Sequence, residues 1–319
     1  MKNRALQKQD FHRGRATTIA SGVACLELSI VNAYLVGPPQ AGDRAWVLVD
    51  TGLPTSHETI VREAQRRFGH GARPSAIVLT HGHIDHAGSV RELMKLWDVP
   101  VYAHRLEAPF LTGRSDYPPA DPTVGGGAMA RVASRLFPRR AIDIGSRLHL
   151  LPQDGTVPGM PGWRWIHTPG HTPGHVSLFR DEDRTLIAGD AFVTTHQESF
   201  WAVMTQRQEV WRPPAYFTIN WDASRASVQA LARLEPEVAG TGHGIPMAGE
   251  RLRQQLNDLA EHFDEVMPGD GRYVRQPAGA DADGIYRIPP PRFDFLPPLL
   301  VSAGLLAVIG TRLARGRAA

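Results

Sequence analysis

From Thr17 onward, short apolar or alternating runs recur along the chain, each closed by Gly, Pro or Asp. That punctuation predicts strands over residues 23–28, 31–36, 46–50, 76–80 and 101–103. Apolar residues at helical spacing predict helices over 55–68 and 89–96, opened by the cap residues Thr55 and Ser89. A second set follows, with strands over 142–151, 163–167, 175–179, 185–188 and 238–240 and helices over 223–234 and 249–266. Strands outnumber helices in each half, so the pattern implies an α/β protein whose sheets are covered by helices. Residues 113–127, rich in Pro and Gly, and 197–214, with Trp201, Trp211 and paired prolines, look like insertions or lids. The stretch 268–298 has no periodicity and reads as a linker.

Composition narrows the classes. With 319 residues, 42% hydrophobic and 21% charged, the chain can bury a substantial core as two domains or one large one. Lys and Arg total 35 against 32 acidic residues, and a net charge of +3 without a basic block argues against nucleic acid as a partner. Cys25 stands alone, which removes both a disulfide framework and thiolate metal sites.

The basic N-terminus is not followed by an apolar signal core, so the expected compartment is the cytoplasm. The predicted organisation is a tail (1–16), a catalytic domain (17–266), a linker (267–294) and a hydrophobic segment with a basic end (295–319). Residues 295–310 carry no charge and precede Arg312, Arg315 and Arg317. As a helix they would reach about 24 Å, short of the roughly 30 Å hydrocarbon core. The expectation is therefore a tail lying on a membrane, on a second copy or on the protein itself, rather than a span.

Histidine changes the picture, with 14 in the chain and several bunched. Thr80-His81-Gly82-His83-Ile84-Asp85-His86-Ala87-Gly88 follows a predicted strand. Its three imidazoles and a carboxylate can divide into two ligand sets, His81 with His83 and Asp85 with His86, suited to Zn²⁺ or Fe²⁺. Further strand ends deliver His171 in Thr168-Pro169-Gly170-His171, Asp190 after Leu186-Ile187-Ala188-Gly189, and His243 in Gly240-Thr241-Gly242-His243-Gly244. Any one alone would be weak, since a strand-end histidine is more often structural. Four sites sharing one layout point to concerted use.

This ordered set, with the early Leu48-Val49-Asp50-Thr51-Gly52 element, resembles the metallo-β-lactamase superfamily of dinuclear metallohydrolases over roughly residues 17–266. The resemblance implies an αββα sandwich with two metals at one edge of the sheets. It assigns His81, His83 and His171 to the first metal, Asp85, His86 and His243 to the second, and Asp190 to both. Zinc is the expected metal, two ions per chain, with iron or manganese as alternatives. Flavodiiron members carry Glu where this chain has His83, and their flavodoxin-like domain has no counterpart here. The implied reaction is hydrolysis by a metal-bridging hydroxide, with Asp85 helping to move the proton to the leaving group and Asp50 orienting the metal loops. His175 is expected to be structural, and His104 to lie near the site without ligating.

The substrate is less legible. Lactonases of the superfamily often place a tyrosine three residues after the bridging Asp, where Val193 stands here, leaving Tyr216 and Tyr117 as candidates. The glutathione-binding residues of glyoxalase II-like thioesterases have no clear match. Phe192, Phe200, Trp201, Trp211, Tyr216 and Phe217 would wall an apolar pocket or form a packed lid, with Gln206, Arg207 and Arg212 available to a carboxylate. The expected partner is a small molecule with an apolar portion, an ester, lactone or thioester. The alternative is iron-dependent redox chemistry on a subset of the same ligands.

Overall fold

Alternation within the strands decides the layering. In the computed structural model, which describes residues 6–124 and 137–291, seven strands form one sheet in sequence order. They are β1 (Ala16–Ala20), β2 (Val23–Leu28), β3 (Val31–Val36), β4 (Val47–Val49), β5 (Ala76–Val78), β6 (Val101–Ala103) and β7 (Leu148–Leu150). A second sheet pairs β8 (Trp163–His167), β9 (Val176–Arg180), β10 (Thr185–Ile187), β11 (Val238–Gly240) and β12 (Met247–Ala248) in the order β12-β11-β10-β9-β8.

Cys25, Val47, Val49 and Val78 of the first sheet share one buried cluster with Val176, Leu178 and Ile187 of the second. Their neighbours in sequence face the other way. Leu26, Leu48 and Ile77 pack on Ile60, Ala64 and Phe68 of α1 (His57–Phe68), and on Leu93 and Trp97 of the helix Val90–Trp97. Phe179 and Leu186 pack on the helices Trp221–Ala232 and Glu250–Glu261 through Val228, Leu231, Leu252 and Leu256. Strands buried on both faces give near-continuous apolar runs. The result is the expected αββα sandwich. Each fully buried Leu, Ile or Phe in these layers contributes about 1.5–3 kcal/mol.

Several boundaries differ from expectation. The strand expected over 142–151 is reduced to β7, because residues 145–147 form a 3-10 turn before it. The helix expected over 249–266 breaks at His262 into Glu250–Glu261 and Phe263–Val266. The stretch 267–294 was expected to be a linker, yet it folds as far as the described residues run. It holds the helix Arg272–Arg275 and a hairpin of β13 (Gly279–Asp281) and β14 (Gly284–Arg287). Tyr273 is buried and donates to the Pro119 carbonyl at 2.5 Å, and the Ala278 N–H donates to the Ile219 carbonyl at 3.0 Å. Among the described residues no helix is long and apolar enough to cross a membrane. The hydrophobic segment 295–310 lies outside the described residues.

Candidate metal centre

β4, β5 and β6 run parallel, as do β10 and β11, so the loops leaving their C-terminal ends open on one side. Asp50 leaves β4, the 80–88 segment leaves β5, the His171 turn leaves β8, Asp190 leaves β10 and His243 leaves β11. Within the 80–88 segment the second half is helical: Ile84–Ala87 forms a single turn, which places Asp85 and His86 beyond the extended His81–His83 stretch.

All seven singled-out residues converge. His83 Nδ1 lies 3.1 Å from His81 Nε2 and 3.0 Å from His171 Nε2. Asp85 Oδ2 lies 3.4 Å from His243 Nε2 and 3.9 Å from His86 Nε2. The Asp190 carboxylate reaches both groups, with Oδ2 at 3.5 Å from His171 Nε2, 3.6 Å from His86 Nε2 and 3.2 Å from His243 Nε2. Three sets are compact enough to hold an ion: His81, His83 and His171; Asp85, His86 and His243; and His81, His86 and Asp190.

The imidazoles are aimed from behind. Asp50 takes a φ of +60°, a region Asp tolerates better than most residues. Its Oδ2 lies 2.8 Å from both His86 Nδ1 and Thr80 Oγ1. The Ile30 carbonyl accepts from His243 Nδ1 at 2.6 Å, and Thr80 Oγ1 lies 3.1 Å from His81 Nδ1. A hydrogen bond on one ring nitrogen fixes the tautomer and directs the other nitrogen inward.

The charges separate by cluster. Burial pushes His81 and His171 well below the ordinary imidazole value, assisted by neighbouring imidazoles, and takes His83 down to about 4. Burial opposes the charged form of His86 and His243 too. There Asp190 and Asp85 outweigh it, holding His86 well above its ordinary value and His243 up at about 10. Burial would raise Asp85, but His86 and His243 bring it down to about 2. The first trio thus favours neutral imidazoles, and in the second the carboxylates hold protons on His86 and His243.

That donor set suits divalent cations. His86 Nε2 and Asp190 Oδ1 are buried without a hydrogen-bond partner, and imidazole nitrogens face one another where at most one proton fits between each pair. Buried polar atoms left in this state are costly unless something positive joins them.

Other candidates separate clearly. His175 is committed on both nitrogens: Nδ1 meets Thr168 Oγ1 at 2.8 Å, and Nε2 accepts from the Asp190 N–H at 2.8 Å. His104 was expected to lie near the site without ligating; it belongs to none of the three compact sets, and its ring stacks on His167 at 4.3 Å. Val193 is fully buried. Tyr117 donates to Glu107, whereas Tyr216 lines the cleft over the cluster with Ile30, Phe137, Gln197, Pro214 and Phe217. Arg212 is not available to a substrate carboxylate, because it is buried and donates to Glu198 at 2.9 Å. Arg207 pairs with Glu209 at 3.4 Å. Of the aromatic stretch, Phe192 is core, Trp201 is 74% exposed, and Trp211 stacks on His196. Sequence reading missed the Ile30 carbonyl, Glu107 and Glu198. None carries a local signature, since each acts on residues distant in the chain.

The chain matches the Metallo-beta-lactamase superfamily profile over residues 26–243. It is 48% identical over 253 residues to the probable metallo-hydrolase YflN of Bacillus subtilis (strain 168), covering 79% of this chain and 95% of that protein. A metallo-beta-lactamase family protein from Thermus thermophilus superposes with a TM-score of 0.52 at 26% identity, covering 78% of this chain and 81% of that one. A beta-lactamase domain protein from Burkholderia ambifaria shares the fold, with a TM-score of 0.56 at 20% identity over 82% of this chain and 80% of its own. The chain belongs to the metallo-beta-lactamase superfamily, and it is a metal-dependent hydrolase.

Proposed function

We propose that the chain is a dinuclear zinc hydrolase of carboxylic esters, lactones or thioesters that carry an apolar portion. His81, His83 and His171 would hold one ion, Asp85, His86 and His243 the other, and Asp190 both. The observation that carries the reading is the Asp190 carboxylate, whose Oδ2 lies within 3.6 Å of imidazoles from both sets. Imidazole with carboxylate and no thiolate supports zinc. Two zinc ions held there would supply hydroxide at neutral pH and a Lewis acid for a substrate carbonyl.

The chain's own groups do the rest. His86 and His243 would give up their protons on loading, which makes binding pH-dependent. Asp50 and the Ile30 carbonyl keep those two rings turned inward. Asp85, with part of its side chain open to the cleft, would take a proton from the nucleophile and return it to the leaving group. Ile30, Phe137, Pro214 and Phe217 would seat an apolar acyl or aryl group and exclude water.

The test is metal analysis of the purified full chain, followed by a panel of aryl esters, lactones, thioesters, β-lactams and phosphodiesters. Two zinc ions per chain are expected, with cleavage of the first three classes lost to a chelator and restored by zinc. One iron with oxygen uptake, or activity confined to phosphodiesters, would overturn the reading.

A further inference from the structure

Glu107 is fully buried, lies outside the ligand set and has no part in the proton movements described above. It sits at the start of the short helix Ala108–Leu111, and its carboxylate touches two loops that leave different sheets. Oε2 accepts from the Gly82 N–H at 3.0 Å and from the Tyr117 hydroxyl. Oε1 accepts from Thr172 Oγ1 at 2.8 Å and from the Gly174 N–H at 2.8 Å. Gly82 lies between His81 and His83, and Thr172 follows His171. One carboxylate therefore grips both sources of the first ligand trio, with a donor for each of its four acceptor directions.

The glycines of the two loops report the same contact. A Cβ on Gly82 would lie 2.6 Å from the Tyr117 hydroxyl, and one on Gly174 would lie 2.7 Å from Glu107 N and 2.8 Å from its Cγ. Neither loop could come this close with a side chain at that position. Tyr117 completes the arrangement, its ring stacked on Phe110 at 4.1 Å and set 4.4 Å from the ring of His83.

We propose that Glu107 is a positioning residue for the first metal: its carboxylate ties the His81–His83 loop to the His171 turn and so sets the spacing of the three imidazoles. This rests on the dinuclear reading above. A carboxylate that merely satisfied buried donors would stabilise the fold without preferring either cluster. A clamp acts on one trio. Losing an outer partner of metal ligands costs about 10–100-fold in affinity.

The test is a chelator-competition titration of the full chain with zinc alone, together with hydrogen exchange at the Gly82 and Gly174 amides. In Glu107→Gln, an NH₂ replaces one oxygen and faces donors. One zinc step should weaken at least about tenfold while the other stays within about twofold. Tyr117→Phe and Thr172→Val, which each remove one donor, should weaken the same step severalfold and carry the test if Glu107→Gln fails to fold. Equal weakening of both steps, or no shift in either, would overturn the clamp. Fewer than two zinc ions on the unmodified chain would sink the dinuclear reading instead. The amides would then decide the clamp: exchange about tenfold faster in the variants supports it, and unchanged exchange overturns it.

Discussion

Two buried polar clusters adjoin the cleft, and they are built on opposite logic. Around Glu198 the carboxylate is fully partnered: Oε1 accepts from Arg212 and the Ala215 N–H, both at 2.9 Å, and Oε2 accepts from Trp211 Nε1 at 3.1 Å. The Arg212 guanidinium lies over the rings of Trp211 and Trp221, at 5.8 and 5.6 Å. In the ligand cluster, imidazole nitrogens confront one another, and buried atoms of His86 and Asp190 have no partner. Burial and charge are common to both. What separates them is whether the polar atoms satisfy one another. In the Glu198 cluster the carboxylate is satisfied and its charge is met by Arg212, although Arg212 Nε and Trp221 Nε1 have no partner, which makes it architecture. The ligand cluster does not, and that marks it as a place for something positive.

The largest effect is expected at Asp190, the group shared by both candidate ligand sets. Asp190→Ala should lower kcat/KM at least ~1000-fold, or ~4 kcal/mol, beyond the cost of losing an outer partner. Metal content should fall below two per chain. A purified variant with two tightly held ions and full turnover would erase the distinction between the clusters.

The convergence of the seven candidate residues was legible because their signals are local. Four of the seven candidate ligands fall within His81–His86, and the other three follow strands with glycine beside them. The layering was legible for a similar reason, since strands such as Val31–Val36 are apolar on both faces. The supports were not. Glu107 bonds Gly82 and Thr172 across 25 and 65 residues of chain, and an acid before Ala-Pro reads as an ordinary helix start. Arg212 looked free because its partner, Glu198, sits in an apparent lid. The 267–291 stretch looked like a linker because Pro and Gly suppress periodicity, while its anchors are the buried Tyr273 ring and backbone N–H groups that bond to distant residues.

Glu198→Ala probes the partnered cluster. It leaves Arg212 buried without its counter-charge, and breaking such a pair costs about 3–5 kcal/mol. The low end is expected here, near 3 kcal/mol, because the Trp211 and Trp221 rings remain against the guanidinium. Denaturant unfolding of the metal-loaded protein should show this loss while zinc content stays at the unmodified level. Release of a zinc ion would mean that this wall belongs to the metal site after all.

The smallest expected effect belongs to His104, which follows β6 much as the ligands follow their strands yet meets no ligand partner. Its ring stacks on His167 and approaches Trp165 at 5.5 Å, and its Nδ1 accepts from the Leu106 N–H at 3.3 Å. Burial, with His167 and Arg105 nearby, holds its pKa down at about 4, against an ordinary 6.5. Below pH 6.5 the unfolded chain takes up a proton that the folded chain refuses until about pH 4. The stability linked to this neutral ring is therefore complete above pH 6.5 and drains away as pH falls toward 4. His104→Phe keeps a stacked ring and removes that titration. From pH 7 to pH 5 the unfolding free energy read from urea titrations should fall less in the variant, by about 1 kcal/mol after allowing for solvent screening. Equal falls would mean that the His104 ring carries no such penalty. The contrast between His104, a buried ring that stays neutral without awaiting a cation, and the candidate ligand histidines would then rest on geometry alone.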